Sequence, residues 1–378
     1  MLASGQPAAA RAWFERAQSL SERPAEHLEL ARCCRRLRDF PAVETHLRRA
    51  LATGAPQREV ERQEWLTLAA LGQYRAMATH WAELFEDPGD DGREICEAYV
   101  TSALSRFRLS DAFQVLSAWE RDFPRDPQPH FVRGLIYETS LNFEAASKSY
   151  ERALELDSTR TDARLKLARC LLERLQTEEA VRQLQLCLQA DPDSAGAATL
   201  LARARMKLGD YESARNLLER QLARDSQRVD ARQMLGEIEL EANHPQAAVE
   251  YLAPAVALQP ENHELRYTYA QALERSGHKQ EAKAHFEFVK EAQQALARLL
   301  PQTQELLRRP DDVALRFEIA SATWRYKSRE DGAKWLQSVL EYDPQHAGAK
   351  ALLAEHVQLL ARSARAATDV ASAPESTP

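Results

Sequence analysis

One stretch of this sequence recurs at an interval of 34 residues. The stretch "LNFEAASKSYERALELDS" begins at residue 141, "LQTEEAVRQLQLCLQADP" begins at residue 175, and "GDYESARNLLERQLARDS" begins at residue 209. A fixed period of about 20 to 50 residues is typical of chains built from stacked copies of one supersecondary unit. A single copy cannot bury its apolar face alone, so the period predicts a stack of repeats rather than one globular core.

The same register extends in both directions and places nine repeat starts, numbered here as repeats 1 to 9. The starts are Pro24, Arg58, Arg93, Pro127, Thr161, Ala195, Val229, His263 and Val313. The step from Arg58 to Arg93 is 35 residues, and the step from His263 to Val313 is 50 residues, which is one period plus an insertion of 16. Positions within a repeat are counted from its start.

The apolar spacing within each repeat predicts two helices, over positions 3 to 14 and 18 to 31, with a turn between them. Small residues recur at two positions. They occupy position 8 as Ala31, Gly134, Ala168, Ala202, Gly236, Ala270 and Ala320, and position 20 as Ala112, Ala146, Ala180, Ala214, Ala248, Ala282 and Gly332. Small side chains allow two helix backbones to approach closely, so each repeat is predicted to be a helical hairpin.

Position 32 is proline in Pro124, Pro192, Pro260 and Pro344, where it ends the second helix. With the small residues and the 34-residue period, this pattern resembles the tetratricopeptide repeat family over roughly residues 24 to 346, most closely from 127 to 262. The resemblance implies an all-α, right-handed superhelical solenoid of stacked antiparallel helix hairpins.

Repeats 2 and 3 depart from the family pattern. Trp65 stands at position 8 and Met77 at position 20 of repeat 2, and Trp119 stands at position 27 of repeat 3. Because these bulky side chains replace small ones where helices cross, we expect these repeats to pack less regularly.

The repeat array is predicted to have distinct ends and one extended helix. Residues 1–23 form a half-repeat or capping helix, 24–346 the array, 347–364 a C-terminal capping helix, and 365–378 a disordered tail. The 16-residue insertion continues the second helix of repeat 8 across 286–308 until Pro301 kinks or stops it. Two interpretations of this helix stay open: a structural protrusion, or a docking element for a partner.

The charge balance and the motifs exclude several classes of function. The chain has 50 basic and 57 acidic residues and a formal charge of −7, so no global field attracts nucleic acid. No apolar run is long enough to span a bilayer, and a cytoplasmic location is expected. The strings GxSxG, HExxH, GxGxxG and the P-loop are absent. We therefore expect no enzyme activity, no catalytic residue, no cofactor and no metal site.

The resemblance implies that positions 2, 5, 6, 9, 12 and 13 of the first helices line a concave groove that holds a segment of another protein. The chain is thus expected to be a non-catalytic protein–protein interaction scaffold. The candidate peptide-binding residues are Phe131, Leu135, Leu165, Lys166, Arg169, Arg203 and Lys207. Apolar residues precede basic ones, and Glu237 and Glu241 then reverse the charge. This order predicts a peptide whose apolar anchor precedes one or two carboxylates. The alternative is that the arginines only solvate the groove or pair with Asp162 and Glu173.

Two other functions stay open. The stretch "ARCCRRLRDF" puts Arg32, Arg35 and Arg36 at groove positions of repeat 1, where they could form an anion patch that binds RNA or another polyanion. Alternatively, nearby acids offset this charge and the arginines only solvate a helix. The chain could also be a regulatory module of a catalytic partner.

Overall fold

A computed structural model describes residues 7–18, 23–106 and 108–371, and within these ranges the chain consists of helices and turns without a strand. The chain divides into two compact units, Met1–Pro124 and Arg125–Pro378, called here the N-terminal unit and the C-terminal unit. Within each unit, consecutive helices form antiparallel hairpins that stack in chain order. The predicted all-α fold of stacked hairpins is confirmed.

The N-terminal unit contains repeats 1 to 3. Its helices are α1 Pro7–Gln18, α2 Pro24–Arg36, α3 Phe40–Ala52, α4 Gln57–Ala70, α5 Tyr74–Met77, α6 Trp81–Glu86, α7 Gly92–Ser105 and α8 Leu109–Asp122, with a 3-10 turn at Gly89–Asp91 before α7.

The C-terminal unit contains repeats 4 to 9. Its helices are α9 Gln128–Thr139, α10 Phe143–Leu156, α11 Thr161–Glu173, α12 Thr177–Ala190, α13 Ala195–Lys207, α14 Tyr211–Arg224, α15 Val229–Glu241, α16 Pro245–Leu258, α17 His263–Arg275, α18 Lys279–Leu296, α19 Leu299–Arg308, α20 Val313–Tyr326, α21 Arg329–Tyr342 and α22 Ala347–Ala371.

Repeat 5 shows how a regular hairpin is built. Ala168 and Ala180, at positions 8 and 20, are completely buried where α11 crosses α12, as the pattern predicted. The helices occupy positions 1 to 13 and 17 to 30, one or two residues earlier than the apolar spacing suggested. Position 15 has the left-handed backbone conformation, with φ of 61° at Leu175 and 78° at Gly209 of the next repeat. This single residue reverses the chain between the two helices.

Repeat 2 is irregular, as expected from its bulky residues. Its second helix is broken into α5 and α6, with a turn between Met77 and Trp81. The ring of His80, in this turn, stacks on that of Trp65 with a centroid distance of 4.4 Å. Because the indole takes the place of a small residue at position 8, the segment that faces it leaves the helical conformation.

Arginines at position 4 tie successive repeats together, a role that the sequence pattern did not reveal. Each donates a hydrogen bond to the backbone carbonyl six residues earlier, in the loop that precedes its own helix. The pairs are Arg164 with Ser158 at 2.8 Å, Arg232 with Ser226 at 2.8 Å, Arg266 with Pro260 at 2.5 Å and Arg316 with Pro310 at 2.6 Å. These arginines satisfy carbonyl groups in the connections between hairpins.

The insertion lengthens the second helix of repeat 8, and this helix is interrupted before Pro301. Helix α18 ends at Leu296, and α19 continues it after Ala297 and Arg298, which keep right-handed helical backbone angles. Because Pro301 has no N–H to give the carbonyl of Ala297, the helical ladder is interrupted upstream of the proline, which itself stands in the first turn of α19.

The insertion also displaces the last hairpin. In the regular part of the array, the C-terminal end of each first helix lies beside the C-terminal end of the first helix of the preceding repeat. Here His263 Nδ1, at the start of α17, lies 2.9 Å from the carbonyl oxygen of Tyr326, at the end of α20. The Arg329 guanidinium lies 3.3 Å from the carboxylate of Glu261. The first helix of repeat 9 therefore does not continue the row of first helices formed by repeats 4 to 8.

The two ends of the array are helical. In α1, Ala10 is buried and Arg11 contacts Asp39 at 2.9 Å. At the other end, Leu352, Leu353 and Leu359 of α22 pack against the core of repeat 9. Helix α22 continues to Ala371, past the boundary predicted at residue 364, because "RAATDVA" is rich in alanine, the strongest helix former. The rest of the predicted tail, 372–378, lies outside the described residues.

Candidate functional site

The candidate site is the exposed side of four first helices in the C-terminal unit, α9, α11, α13 and α15, called here the central face. The sequence-predicted residues are distributed over three of them: Phe131 and Leu135 on α9, Leu165, Lys166 and Arg169 on α11, and Arg203 and Lys207 on α13.

The apolar end of the central face is partly buried. The ring of Phe131 lies 5.7 Å from the ring of Tyr150, and the guanidinium of Arg160 covers it at 4.3 Å from the ring centroid. Leu135 and Leu165 pack against the hydrophobic core of repeats 4 and 5 and remain partly accessible. Phe131, Leu135 and Leu165 thus form a small, partly exposed apolar surface that packs on the hydrophobic core.

A buried carboxylate, Glu138, organises the cations beside this surface. Its Oε2 accepts a hydrogen bond from the hydroxyl of Tyr150 at 2.8 Å and lies 3.4 Å from Lys166 Nζ, while its Oε1 lies 3.3 Å from Arg169 Nε. Burial and the contact with Glu138 raise the pKa of Tyr150, so the phenol remains a hydrogen-bond donor. Glu138 is thus the internal partner of both cations.

Glu138 replaces the partners that the sequence suggested. Asp162 pairs instead with Arg160, two residues upstream, at 2.5 Å. Sequence reasoning missed Glu138, although it stands at position 12 of repeat 4, one of the positions that the resemblance assigned to the groove. An acidic residue there, followed by basic residues at positions 6 and 9 of the next repeat, was the available signal.

Arg203 differs from its neighbours because it is exposed and has no internal counter-ion. Among the residues that the structure describes, no carboxylate oxygen lies within 4.0 Å of its guanidinium. Lys166 and Arg169 share the carboxylate of Glu138, whereas Arg203 has no carboxylate in contact within the described ranges, so the middle of the central face carries an excess of positive charge.

Lys207 has a structural contact that the sequence did not predict. Its Nζ lies 3.4 Å from the carbonyl oxygen of Leu172, in the last turn of α11. Arg275, at the same position 13 of repeat 8, donates to the carbonyl of Leu240 at 3.1 Å. The last carbonyls of a helix lack partners within the helix, and in both repeats a basic residue of the next first helix supplies one.

Beyond Arg203 the face becomes acidic. Gln233 donates to Glu237 at 3.1 Å on α15, and Glu241 follows one turn later. Burial raises the pKa of Glu237, as does the charge of Glu264 on α17, while Gln233 and Arg203 act in the opposite direction.

The proposed anion patch lies in the N-terminal unit, and its arginines are paired within the chain. Arg32 Nε contacts Asp91 at 2.9 Å, and Arg32 also contacts Glu29. Arg35, which is only 2% exposed, contacts Glu94 at 2.6 Å. Arg36 lies 3.8 Å from the same carboxylate. These pairs neutralise the charge that the "ARCCRRLRDF" stretch suggested, so the geometry does not favour an anion patch.

The described ranges contain neither a cluster of potential metal ligands nor an exposed cysteine. They contain no group of three or more potential metal ligands. The five cysteines are buried, and burial raises the pKa of Cys33 to about 11, which keeps that thiol unreactive. No helix in these ranges is both long and apolar enough to cross a membrane.

Family comparisons match the middle of the chain. Tetratricopeptide repeat models match residues 199–244 and 239–287, and the model of anaphase-promoting complex, cyclosome, subunit 3 matches residues 140–221. No curated protein sequence matches the chain. Residues 199–287 therefore contain tetratricopeptide repeats, a class of repeat that serves as an interaction scaffold for other proteins.

Solved structures of the same repeat class resemble the chain at low identity. A tetratricopeptide repeat protein from Parabacteroides merdae ATCC 43184 is 16% identical, with 69% of this chain and 97% of that chain covered and a TM-score of 0.46. MamA is 22% identical, with coverage of 46% and 94% and a TM-score of 0.36. YrrB, described as a TPR protein with an unusual peptide-binding site, is 20% identical, with coverage of 54% and 97% and a TM-score of 0.33.

Proposed function

We propose that the central face binds a peptide segment of a partner protein. The observation that carries this proposal is the unbalanced charge in the middle of the face, where Lys166 and Arg169 share the carboxylate of Glu138 and Arg203 has no close carboxylate among the described residues. Exposed arginine without a counter-ion is well suited to bind a carboxylate through its planar pair of N–H donors. The partner is expected to supply that carboxylate.

The neighbouring apolar surface defines the rest of the ligand. Phe131, Leu135 and Leu165 remain partly accessible next to the cations. Aromatic and apolar contacts carry most of the binding energy in many interfaces, while charged contacts at the rim set specificity. The proposed ligand is therefore a segment with an apolar anchor followed by one or two carboxylates, and the chain acts as a scaffold rather than as a catalyst.

Charge reversal tests the proposal. The double substitution Arg169→Glu with Arg203→Glu should remove most proteins that co-purify with the wild-type chain, as identified by mass spectrometry. The fold should persist, because the side chain of Arg169 is 54% exposed and Arg203 is also exposed. Circular dichroism melting curves verify this for each variant.

The matched control is Arg182→Glu with Arg220→Glu, two exposed arginines on the second helices α12 and α14. It changes the net charge equally and should leave the partner list intact. An unchanged partner list in a folded Arg169→Glu, Arg203→Glu chain would refute binding at the central face. In that case the α18–α19 segment becomes the better candidate for the docking element.

A further inference from the structure

The charge along the row of first helices in the C-terminal unit is segregated by sign. Basic residues are concentrated on α11 and α13, as described above. At the groove positions of the next two first helices, α15 and α17, Asp230 pairs with Arg228, and four further carboxylates follow: Glu237, Glu241, Glu264 and Glu274. Opposite charges thus occupy opposite halves of the row.

These four carboxylates have no close cation. Among the described residues, no basic nitrogen lies within 4.0 Å of any of them. The basic residues on the same helices have other contacts: Arg232 and Arg266 bind loop carbonyls, and Arg275 binds the carbonyl of Leu240. Glu237, Glu241, Glu264 and Glu274 therefore have no contacting counter-ion among the described residues.

The carboxylates are also accessible together. Glu241, Glu264 and Glu274 are exposed, and Tyr267, which lies one turn after Glu264, is 44% exposed. Glu264 is close enough to Glu237 to contribute to the raised pKa of that residue, although the two lie on adjacent first helices. The acidic residues thus form one surface across α15 and α17, which is called here the acidic face.

We infer that the row of first helices binds a charge-segregated segment of a partner protein, with carboxylates opposite Arg169 and Arg203 and lysine or arginine side chains opposite the acidic face. This inference rests on the proposed function and names the chemistry of its ligand. Complementary charge favours such a segment because each block meets its counter-ion and because the opposite order places like charges together.

The spacing between the two blocks follows from helix packing. First helices that pack side by side are about 8 to 10 Å apart, so the centres of the basic and acidic halves are about 20 Å apart. An extended chain advances about 3.3 Å per residue, and about six residues therefore separate the acidic block from the basic block of the ligand. A nucleic acid strand fits less well, because its phosphates would meet the acidic face along half of the row.

Synthetic peptides test the inference with the full-length chain. Fluorescein-labelled probes carry a Leu-Phe anchor, two aspartates, a neutral six-residue spacer and two lysines, made in both block orders. Two comparison peptides have the same length: one interleaves aspartate with lysine, and the other replaces the lysines with glutamine. Fluorescence anisotropy should show one block order binding about tenfold more tightly than either comparison peptide at low ionic strength.

Protein variants locate the effect. Glu237→Gln with Glu241→Gln should abolish the preference for the lysine-containing probe over the glutamine-containing one and retain binding of the acidic block. The control Glu212→Gln with Glu250→Gln removes the same charge from exposed sites on α14 and α16 and should retain the preference. Glutamine preserves the shape and polarity of each side chain, so these variants are expected to fold.

The possible failures are distinguishable. If all peptides bind equally, or if the wild-type chain binds none of them, the charge-segregated ligand is refuted. The proposed function is judged separately, by the partners that co-purify with the Arg169→Glu, Arg203→Glu chain. Loss of partners in that experiment, together with equal binding of all peptides, would retain the peptide-binding face and discard only the basic half of the ligand.

Discussion

The two units of this protein place arginines at equivalent positions of their first helices and use them differently. In the N-terminal unit, Arg32 and Arg35 of α2 pair with Asp91 and Glu94, which lie 59 residues further along the chain. In the C-terminal unit, Arg203 occupies the same position 9 as Arg32 and has no close carboxylate. Arg32 and Arg203 have the same residue type and repeat position. They differ in whether a carboxylate lies close to the guanidinium.

Asp91, which contacts Arg32, lies 59 residues after it, whereas the residue 59 places after Arg203 is Asn262, which carries no charge. The acid that contacts Arg35 stands at position 2 of a later repeat. In the C-terminal unit, Asp162 and Asp230 at this position pair with Arg160 and Arg228, each two residues upstream. Glu94 stands at position 2 of repeat 3, where the residue two places upstream is Gly92. Glu94 contacts Arg35 and Arg36 of repeat 1 instead.

The largest effect is expected from Arg35→Met. Arg35 donates to Glu94 at 2.6 Å and to Gln63 Oε1 at 2.8 Å, and the side chain is buried. Its removal leaves the partly buried Glu94 with only the more distant Arg36, at 3.8 Å, at a cost of about 3 to 5 kcal/mol of unfolding free energy. Denaturant titration followed by circular dichroism measures the loss.

The comparison variant is Arg203→Met, which should change the unfolding free energy by less than about 0.5 kcal/mol because the residue is exposed and has no close counter-ion. Equal effects of the two substitutions would mean that the arginines of the two units do not differ in role.

Acidification should lower the stability of α7 in the N-terminal unit and raise the stability of α15 in the C-terminal unit. Burial alone would raise the pKa of Glu94, but Arg35 more than offsets this and holds the pKa below its ordinary value of 4.5. The stability from this pair is complete above that value and is lost as pH falls through the lowered pKa. The pKa of Glu237 is raised, so its protonation as pH falls relieves an unfavourable charge and stabilises α15.

Hydrogen exchange of the full-length chain, corrected for the intrinsic pH dependence, should therefore show weaker protection of α7 below about pH 4.5. Protection of α15 should be retained or increased over the same range. Parallel loss of protection in both helices would show that the two carboxylates are not in opposite environments.

A smaller effect is expected from Lys207→Met. The Lys207 ammonium contacts the carbonyl of Leu172 at 3.4 Å, so its removal should lower the unfolding free energy by about 0.5 to 1 kcal/mol. Because this contact is structural, binding of the aspartate-containing probes should fall less than it does for Arg203→Met. A larger loss of binding for Lys207→Met would restore Lys207 as a principal ligand contact.

The repeat register could be predicted from the sequence because small residues at helix crossings are a local, periodic requirement. Ala168 and Ala180 are fully buried where the register put them. The break before Pro301 and the displacement of the last hairpin were harder to predict from the sequence, because both depend on where a lengthened helix ends. Helix α22 was longer than predicted because a tail rich in alanine can extend a helix without burying an apolar face.

The candidate site was only partly predictable, because helix periodicity gives the face of a side chain but not its partner. Arg35, Arg169 and Lys207 all stand at positions that the family resemblance assigns to the groove. The structure gives them a partly buried carboxylate, a shared carboxylate and a backbone carbonyl, respectively. These partners come from other repeats, 59, 31 and 35 residues away along the chain, so no local pattern predicts them.

The difference between the units can be measured directly with an arginine-selective reagent. The folded full-length chain is treated with phenylglyoxal, and the rate of modification at each arginine is obtained by mass spectrometry of the digested protein. Arg203 and Arg169 should react fast, whereas Arg35 and Arg62, buried among Asp91, Gln63 and Glu94, should be protected until the chain unfolds. If Arg35 and Arg62 react as fast as Arg203 in the folded chain, the arginines of the N-terminal unit are not sequestered, and the account of the two units is wrong.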